Sequence, residues 1–313
     1  MSAPGPQNTK RRVVGENIWL SSREAGDADA VLSGLAVHGI EPDVLPSEEA
    51  VGRAMLEEIE RAAGEKSGDL VIILLGGRGA QALHRQLGEL ARTDKADALL
   101  ARLHVFTQDA LAPLRMDNGF SFVRDFERLL GAAFFEKIKS FTPMRTDTED
   151  LEGELSRYVG RLESLGGIDI FFLGLGPEAN SASHLAYIKP GSGATAADVA
   201  GLIPISSSIL EHHVSKFKAG GTAASEADEA ECRAATHILT LGPAAILRAR
   251  RVVQSIVDAS TAPAKRACYR RVRETVFADD ASGRAAQLDK NPGLWTRLHP
   301  NFRSLVLPDV LES

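Results

Sequence analysis

The sequence predicts an α/β fold, a Rossmann-like three-layer sandwich in which helices cover both faces of a parallel-dominated sheet. Two observations carry this prediction. Asp69–Leu75 (DLVIILL) and Ile168–Leu173 (IDIFFL) are unbroken apolar runs, the pattern of strands buried on both faces. Each runs into a glycine-containing loop, and helix-period stretches alternate with the strands along the chain.

The elements follow in order. After the run at 69–75 comes GGRG, then a stretch with Leu83, Leu87 and Leu90 at helical spacing. LHVFT (103–107) reads as a second short strand. Ser121 is placed to cap a helix whose Phe122, Phe126, Leu129 and Ala133 form one stripe. Segment 150–165 repeats that pattern with Leu151, Leu155, Tyr158 and Leu162. The strand at 168–173 ends in GLG. His237–Leu241 reads as a strand running into a helix from Ala244 that carries Ile246, Val253 and Ile256. Leu305–Leu307 is a last apolar run that returns to the sheet. Stretches 191–201, 218–231 and 278–292 are rich in Gly, Ala, Ser and acids and read as mobile loops. No internal boundary or fixed repeat is evident.

At 313 residues and 44% apolar composition, the chain is long enough to bury a full core. The first dozen residues, MSAPGPQNTKRR, are polar and Pro-rich and are expected to be disordered. No apolar run approaches the ~20 residues needed to span a bilayer, and no secretory signal is evident. A net charge of −6 argues against nucleic acid as a partner, because a polyanion needs a basic face. Two cysteines, Cys232 and Cys268, make no disulfide framework, and a reducing, cytoplasmic location is the simpler expectation. No metal constellation stands out. His212 and His213 are adjacent and so lie on different faces of a helix or strand. No cofactor and no membrane partner are expected.

Two loops fall where ligands sit in open α/β sheets, at the carboxyl ends of strands. In Gly76-Gly77-Arg78-Gly79 the glycines allow close backbone approach to an anion, and the following helix start adds free N–H groups. A tight turn without a ligand explains the same residues. It is neither a Walker A loop nor the spaced glycines of a dinucleotide fold. The second loop, Gly174 to His184 (GLGPEANSASH), brings Glu178, Asn180, Ser183 and His184 to the sheet end; a polar surface loop is its plain reading.

Six segments, in order, resemble the glucosamine-6-phosphate deaminase and 6-phosphogluconolactonase superfamily. LLGGRGAQALHRQL resembles its strand, Gly-Gly-Ser-Thr-Pro loop and helix. VFTQDALAPLRMDNGFSF resembles the stretch that begins Asp-Glu. GGIDIFFLGLGPEANSAS resembles the strand before Gly-x-Gly-x-Asp-Gly-His. HHVSKF lies where deaminases have Asn-Ser-Arg-Phe. THILTLGPAAILRARRVV is similar to Thr-x-Gly-x-x-x-(Ile/Leu)-Leu-x-Ala-Arg, and LHPNFRSLVLPD to the closing Leu-His-Pro strand. The resemblance implies a single domain over 43–313, matched from about 43 to 310, with residues 1–42 as an N-terminal extension. Family members range from monomers to hexamers, so a homo-oligomer is compatible with it.

The resemblance implies a phosphorylated sugar or related small molecule as ligand. Its phosphate would be held by Gly77, Arg78 and Gly79, by Ser215 with Lys216, and by Lys265. The family's proton-shuttling aspartate aligns with Gln108, an amide that cannot serve as a base; a one-residue slip gives Asp109 that role. An ungapped reading of the next motif aligns Glu178 with its aspartate and Asn180 with its histidine. A gapped reading aligns HLAYIKPGS with His-Ile-Ala-Phe-Asn-Glu-Pro-Gly-Ser, restores His184 as the ring-opening acid/base and puts Lys189 where a glutamate orients it. Glu178 is the first expected base, with His184 as partner and Asp109 as the third catalytic candidate. The implied activity is divergent isomerase, deaminase or lactonase-type acid/base chemistry in carbohydrate metabolism. The alternative is a catalytically inactive sugar-phosphate sensor or regulatory subunit.

Overall fold

A computed structural model of the chain describes residues 9–23 and 28–312. Seven strands form one all-parallel sheet: β3 (Pro42–Val44), β4 (Leu70–Leu74), β5 (Leu103–Thr107), β7 (Ser140–Thr142), β8 (Ile170–Leu173), β13 (Arg251–Ile256) and β14 (Phe302–Val306). Their spatial order is β3-β14-β13-β8-β4-β5-β7. The two strands expected from continuous apolar runs, β4 and β8, lie side by side at its centre, with Ile72 opposite Ile170.

Strand periodicity sorts the core. Leu70, Ile72 and Leu74 pack with Val51, Met55 and Ile59 of α2 (Glu48–Glu65), Leu83 and Leu87 of α3 (Gln81–Ala91), and Phe126 and Leu130 of α5 (Phe122–Leu130). The short α4 (Asp97–Leu100) and α6 (Ala132–Lys137) complete this layer. Val71 and Ile73 point to the other face, against Leu155, Tyr158 and Leu162 of α7 (Leu151–Ser164). α10 (Pro243–Arg248), α11 (Ala264–Glu274) and α12 (Ala281–Lys290) lie on that side too, contributing Ile246, Tyr269 and Leu288 to the same core. The three-layer sandwich of the sequence analysis is therefore what the chain forms. Ser121 caps α5 as expected, accepting from Val123 N–H at 3.2 Å.

A second sheet, not foreseen, packs beside the first. It is antiparallel, in the order β1-β2-β11-β12-β6, from β1 (Thr9–Val14), β2 (Asn17–Ser22), β6 (Asp109–Ala112), β11 (Asp198–Pro204) and β12 (His237–Leu241). Its existence changes several expectations. β12 is a strand as expected, but in this sheet. Residues 9–12, taken as disordered, belong to β1; residues 1–8 lie outside the described residues. The extension is tied in by Trp19, fully buried with its indole N–H on Ser192 O at 3.0 Å, and by Arg12 and Ser21 on Asp198. It continues through α1 (Ala28–Gly34) to β3.

The helix expected to carry Val253 and Ile256 ends at Arg248. Ala249 turns extended, and the β-branched run that follows becomes β13, as such residues favour. The three stretches read as mobile loops hold the start of β11, α9 (Glu226–Arg233) with a Ser225/Asp228 capping box, and α12 capped by Asp280. Short polar helices defined by their caps leave little apolar periodicity to read. No helix among the described residues is long and apolar enough to cross a membrane.

Candidate functional site

From β4 the chain builds outward through β5 to β7, then returns to place β8 beside β4 and builds the other way through β13 and β14. The carboxyl ends of β4 and β8 are thus a topological switch point, where open α/β sheets leave a crevice. A cleft opens there. It is lined by Arg78 and Gly79 after β4, Gln108 and Asp109 after β5, Gly174–Gly176 after β8, and Ser255, Asp258 and Lys265 around and beyond the end of β13. His184, Ala186, Tyr187, His212 and Lys216 close it. Its water-accessible volume is about 40 Å³.

The loop after β8 turns back on itself. β9 (Gly176–Pro177) pairs with β10 (Ser183–His184), which sets His184 opposite Gly176. His184 Nδ1 lies 2.8 Å from Glu178 Oε1, and Ser208 Oγ donates to Glu178 Oε2 at 2.5 Å; Ser208 lies on α8 (Ser207–Ala219). Burial alone would raise the Glu178 carboxyl, but His184 and Ser208 together hold it below its ordinary value. Burial lowers His184 despite Glu178, so the imidazole is neutral at neutral pH. Since the carboxylate accepts, His184 donates from Nδ1 and Nε2 carries the lone pair. A Cβ on Gly176 would come within 1.7 Å of that Nε2, so only glycine leaves room for the ring.

Asp109 is 1% exposed and neither carboxylate oxygen has a hydrogen-bond partner of good geometry. Burial pushes it up to about 7, with the Lys216 charge and the neighbouring Gln108 amide pulling it back. Lys216 makes no ion pair among the described residues. Burial lowers it to about 8, opposed chiefly by Asp109. Its side chain lies along the glycine loop, where Gly77 adopts φ +74° and a Cβ would meet Lys216 Cδ at 3.1 Å.

The other two cations already have carboxylates. Arg78 Nη2 is 2.5 Å from Glu48 Oε1, and Lys265 Nζ is 2.7 Å from both oxygens of Asp258, a buried pair. The described residues contain no cluster of three or more His, Cys, Asp or Glu side chains placed to hold a metal ion.

Comparison with solved structures fits this architecture. A monomeric glucosamine-6-phosphate deaminase superposes with TM-score 0.62 at 20% identity, over 87% of this chain and 98% of that one. The 6-phosphogluconolactonase of Trypanosoma brucei gives 0.58 at 18%, over 87% and 98%. That of Thermotoga maritima gives 0.59 at 15%, over 86% and 99%. The chain has the glucosamine-6-phosphate deaminase and 6-phosphogluconolactonase fold. By sequence, a glucosamine-6-phosphate deaminase of Parabacteroides distasonis is 41% identical over 46 residues, 15% of this chain and 16% of that protein. No family model matches the chain.

On this deaminase and lactonase fold, the residues singled out in the sequence separate into three groups. Arg78, Gly79, Gln108, Asp109, His184, Lys216 and Lys265 line the cleft, and Gly77 lies against the Lys216 stem. Glu178 stands behind His184 rather than on the cleft wall. Asn180 and Ser215 are exposed and off the cleft: Asn180 sits at φ 54° in the returning loop, and Ser215 is on the solvent side of α8. Lys189 points away, donating to Pro204 O at 2.5 Å. The ungapped and gapped readings each hold part of the geometry, because the loop brings Glu178 and His184 together across five intervening residues. Sequence reasoning missed Tyr187, His212, Ser255, Asp258 and the role of Glu48. Tyr187 stood inside the quoted HLAYIKPGS segment, and Asp258 lies two residues beyond the end of β13; nothing in the sequence marks Glu48 as the partner of Arg78.

Proposed function

We propose that the chain is an enzyme that binds a phosphorylated sugar in this cleft and moves a proton beside the sugar's carbonyl carbon. The observation that carries the reading is Asp109. A carboxylate buried in the cleft, without a hydrogen-bond partner and with its pKa drawn up to about 7, is poised to take and return a proton near neutral pH. Glu178, first expected as the base, instead orients His184.

In this reading His184 Nε2 accepts or returns the hydroxyl proton that opens and closes the sugar ring, while Glu178 holds the tautomer. The phosphate lies at the Gly77–Gly79 loop beside Lys216, with Arg78 and Lys265 within the same wall. Isomerase and deaminase outcomes share this acid/base equipment. A cytoplasmic location belongs to the same proposal and is supported by two cysteines that stay free and buried.

The reading is tested by incubating the protein with phosphorylated hexoses in D₂O and following C1 and C2 by NMR. Deuterium uptake supports an enzyme. Saturable binding of a hexose phosphate without uptake transfers the site to a sensor or regulatory subunit.

A further inference from the structure

A hydrogen-bonded chain leads from the cleft into the core behind it. Lys216 Nζ donates to Tyr187 Oη at 2.7 Å; Tyr187 Oη and His213 Nδ1 are 2.6 Å apart; His213 Nε2 and Phe120 O are 2.8 Å apart. The far end fixes the direction of the whole chain. A carbonyl oxygen can only accept, so His213 carries a hydrogen on Nε2, and because burial keeps the ring neutral its Nδ1 must accept. Tyr187 therefore donates to His213, and its oxygen lone pairs face Lys216.

The same geometry confines the ammonium. Nζ lies 4.7 Å from the centroids of both the Phe122 and Tyr187 rings. His213 and Lys216 are three apart on α8, on one face, and Phe217 stacks on His213 at 4.5 Å. Tyr187 is held in a left-handed backbone (φ 59°), with the preceding carbonyl of Ala186 bonded by Thr240 Oγ1. Both Tyr187 and His213 are buried.

We propose that Tyr187 is a positioning residue that holds the Lys216 ammonium at the glycine loop, and that His213 serves it by fixing which way their hydrogen bond runs. The proposal rests on the reading that the cleft takes an anion at that loop. Charged and titratable groups facing Lys216 come from several elements: Asp109 on β6, Asp125 on α5, Asp258 after β13, Lys265 on α11, His184 on β10 and His212 on α8. Tyr187 Oη is the acceptor that Lys216 reaches directly, so its loss should make the ammonium easier to deprotonate.

The test is calorimetric titration of the full chain with sodium sulfate, whose charge is constant between about pH 6.5 and 10, the ordinary histidine and lysine values. Wild type should bind sulfate with an affinity that falls as pH rises through about 8, where Lys216 loses its proton. Lys216→Met should abolish that binding. Tyr187→Phe keeps both ring contacts and removes the hydroxyl; it should weaken sulfate roughly tenfold and move the alkaline fall to lower pH. A merely structural tyrosine would lower the melting temperature and leave the pH profile in place.

No sulfate binding by wild type, or binding unchanged in Lys216→Met, contradicts the anion reading and this proposal with it. Binding lost in Lys216→Met but unmoved in affinity and pH profile by Tyr187→Phe overturns this proposal alone. If Tyr187→Phe does not fold, ¹⁵N-histidine NMR of wild type decides. His213 should remain neutral with its hydrogen on Nε2 over the same pH range, and an Nδ1–H or protonated ring would overturn the proposal.

Discussion

His184 Nδ1 and Glu178 Oε1 lie 2.8 Å apart, and the contact is closed from behind by Ser208 on the second carboxylate oxygen. Under the proposed function Glu178 is an orienting group, since it is bonded to His184 and is not among the residues lining the cleft. Glu178→Gln is nearly isosteric but can offer Nδ1 either an acceptor or a donor, so the tautomer is no longer fixed. Ring opening of a hexose phosphate should slow by about 10²-fold, while proton exchange on an acyclic ketose phosphate should change little. Equal losses on cyclic and acyclic substrates would place Glu178 on the proton-transfer step itself.

Gly176 lies directly under the same ring. Gly176→Ala places a methyl group within 1.7 Å of His184 Nε2, so the imidazole must swing off Glu178 or the loop must shift. Overpacking of this kind costs about 1–3 kcal/mol. The expected result is a folded protein with a somewhat lower melting temperature and the cyclic-substrate defect of Glu178→Gln. Wild-type activity in a folded Gly176→Ala protein would show that His184 is not needed where it stands.

The salt bridge between Arg78 and Glu48 opposes any anion that approaches the glycine loop, because Glu48 already satisfies the guanidinium. Both side chains are about a quarter exposed, so solvent screening keeps the pair weak. Glu48→Gln should free Arg78 and tighten inorganic phosphate by roughly fivefold, about 1 kcal/mol by calorimetry. Arg78→Ala should remove that gain in the double variant. Unchanged affinity in Glu48→Gln would take Arg78 out of the anion site.

His84, on α3, is fully buried with neither ring nitrogen hydrogen-bonded, its ring edge-on to Phe126 at 4.8 Å. Burial, helped by Arg85 and Arg128, lowers its pKa to about 3. The folded state thus refuses a proton that the unfolded chain accepts. Stability should fall as pH drops from about 6.5 to about 3, by at most about 5 kcal/mol from this residue. His84→Leu should raise the melting temperature at neutral pH and flatten the acid side of the stability curve. A destabilised His84→Leu protein with the same acid slope would mean that His84 has a polar partner in solution.

Much of this molecule was legible in the sequence where burial writes a continuous pattern. β4 and β8 announced themselves as apolar runs, and Ser121 marked the start of α5. The glycine loop, Asp109, His184, Lys216 and Lys265, all named from the sequence, come together at one cleft, because loops after such strands gather at the sheet end and the resemblance supplied their order. Less legible were features settled by distant partners. β1 reads as a polar tail until Arg12 meets Asp198, 186 residues away. The strand β13 was hidden because its Val253 and Ile256 also fit the helical period of the preceding turn. That Glu178 meets His184 while Asp109 lines the cleft depends on how a loop folds back, which residue spacing does not reveal.

The central claim, that Asp109 is the proton carrier of the cleft, is tested most directly by deuterium exchange at C1 or C2 of a bound hexose phosphate, with wild type and Asp109→Asn side by side. The account predicts exchange in wild type that rises with pH through about 7 as Asp109 ionises. It predicts a loss of about 10²–10⁴ in Asp109→Asn. That variant should stay folded. A carboxyl whose pKa is raised on folding contributes stability at low pH that is lost as pH rises through about 7, so at alkaline pH the amide should match or exceed wild type in melting temperature. Exchange that survives in a folded Asp109→Asn protein would contradict the account.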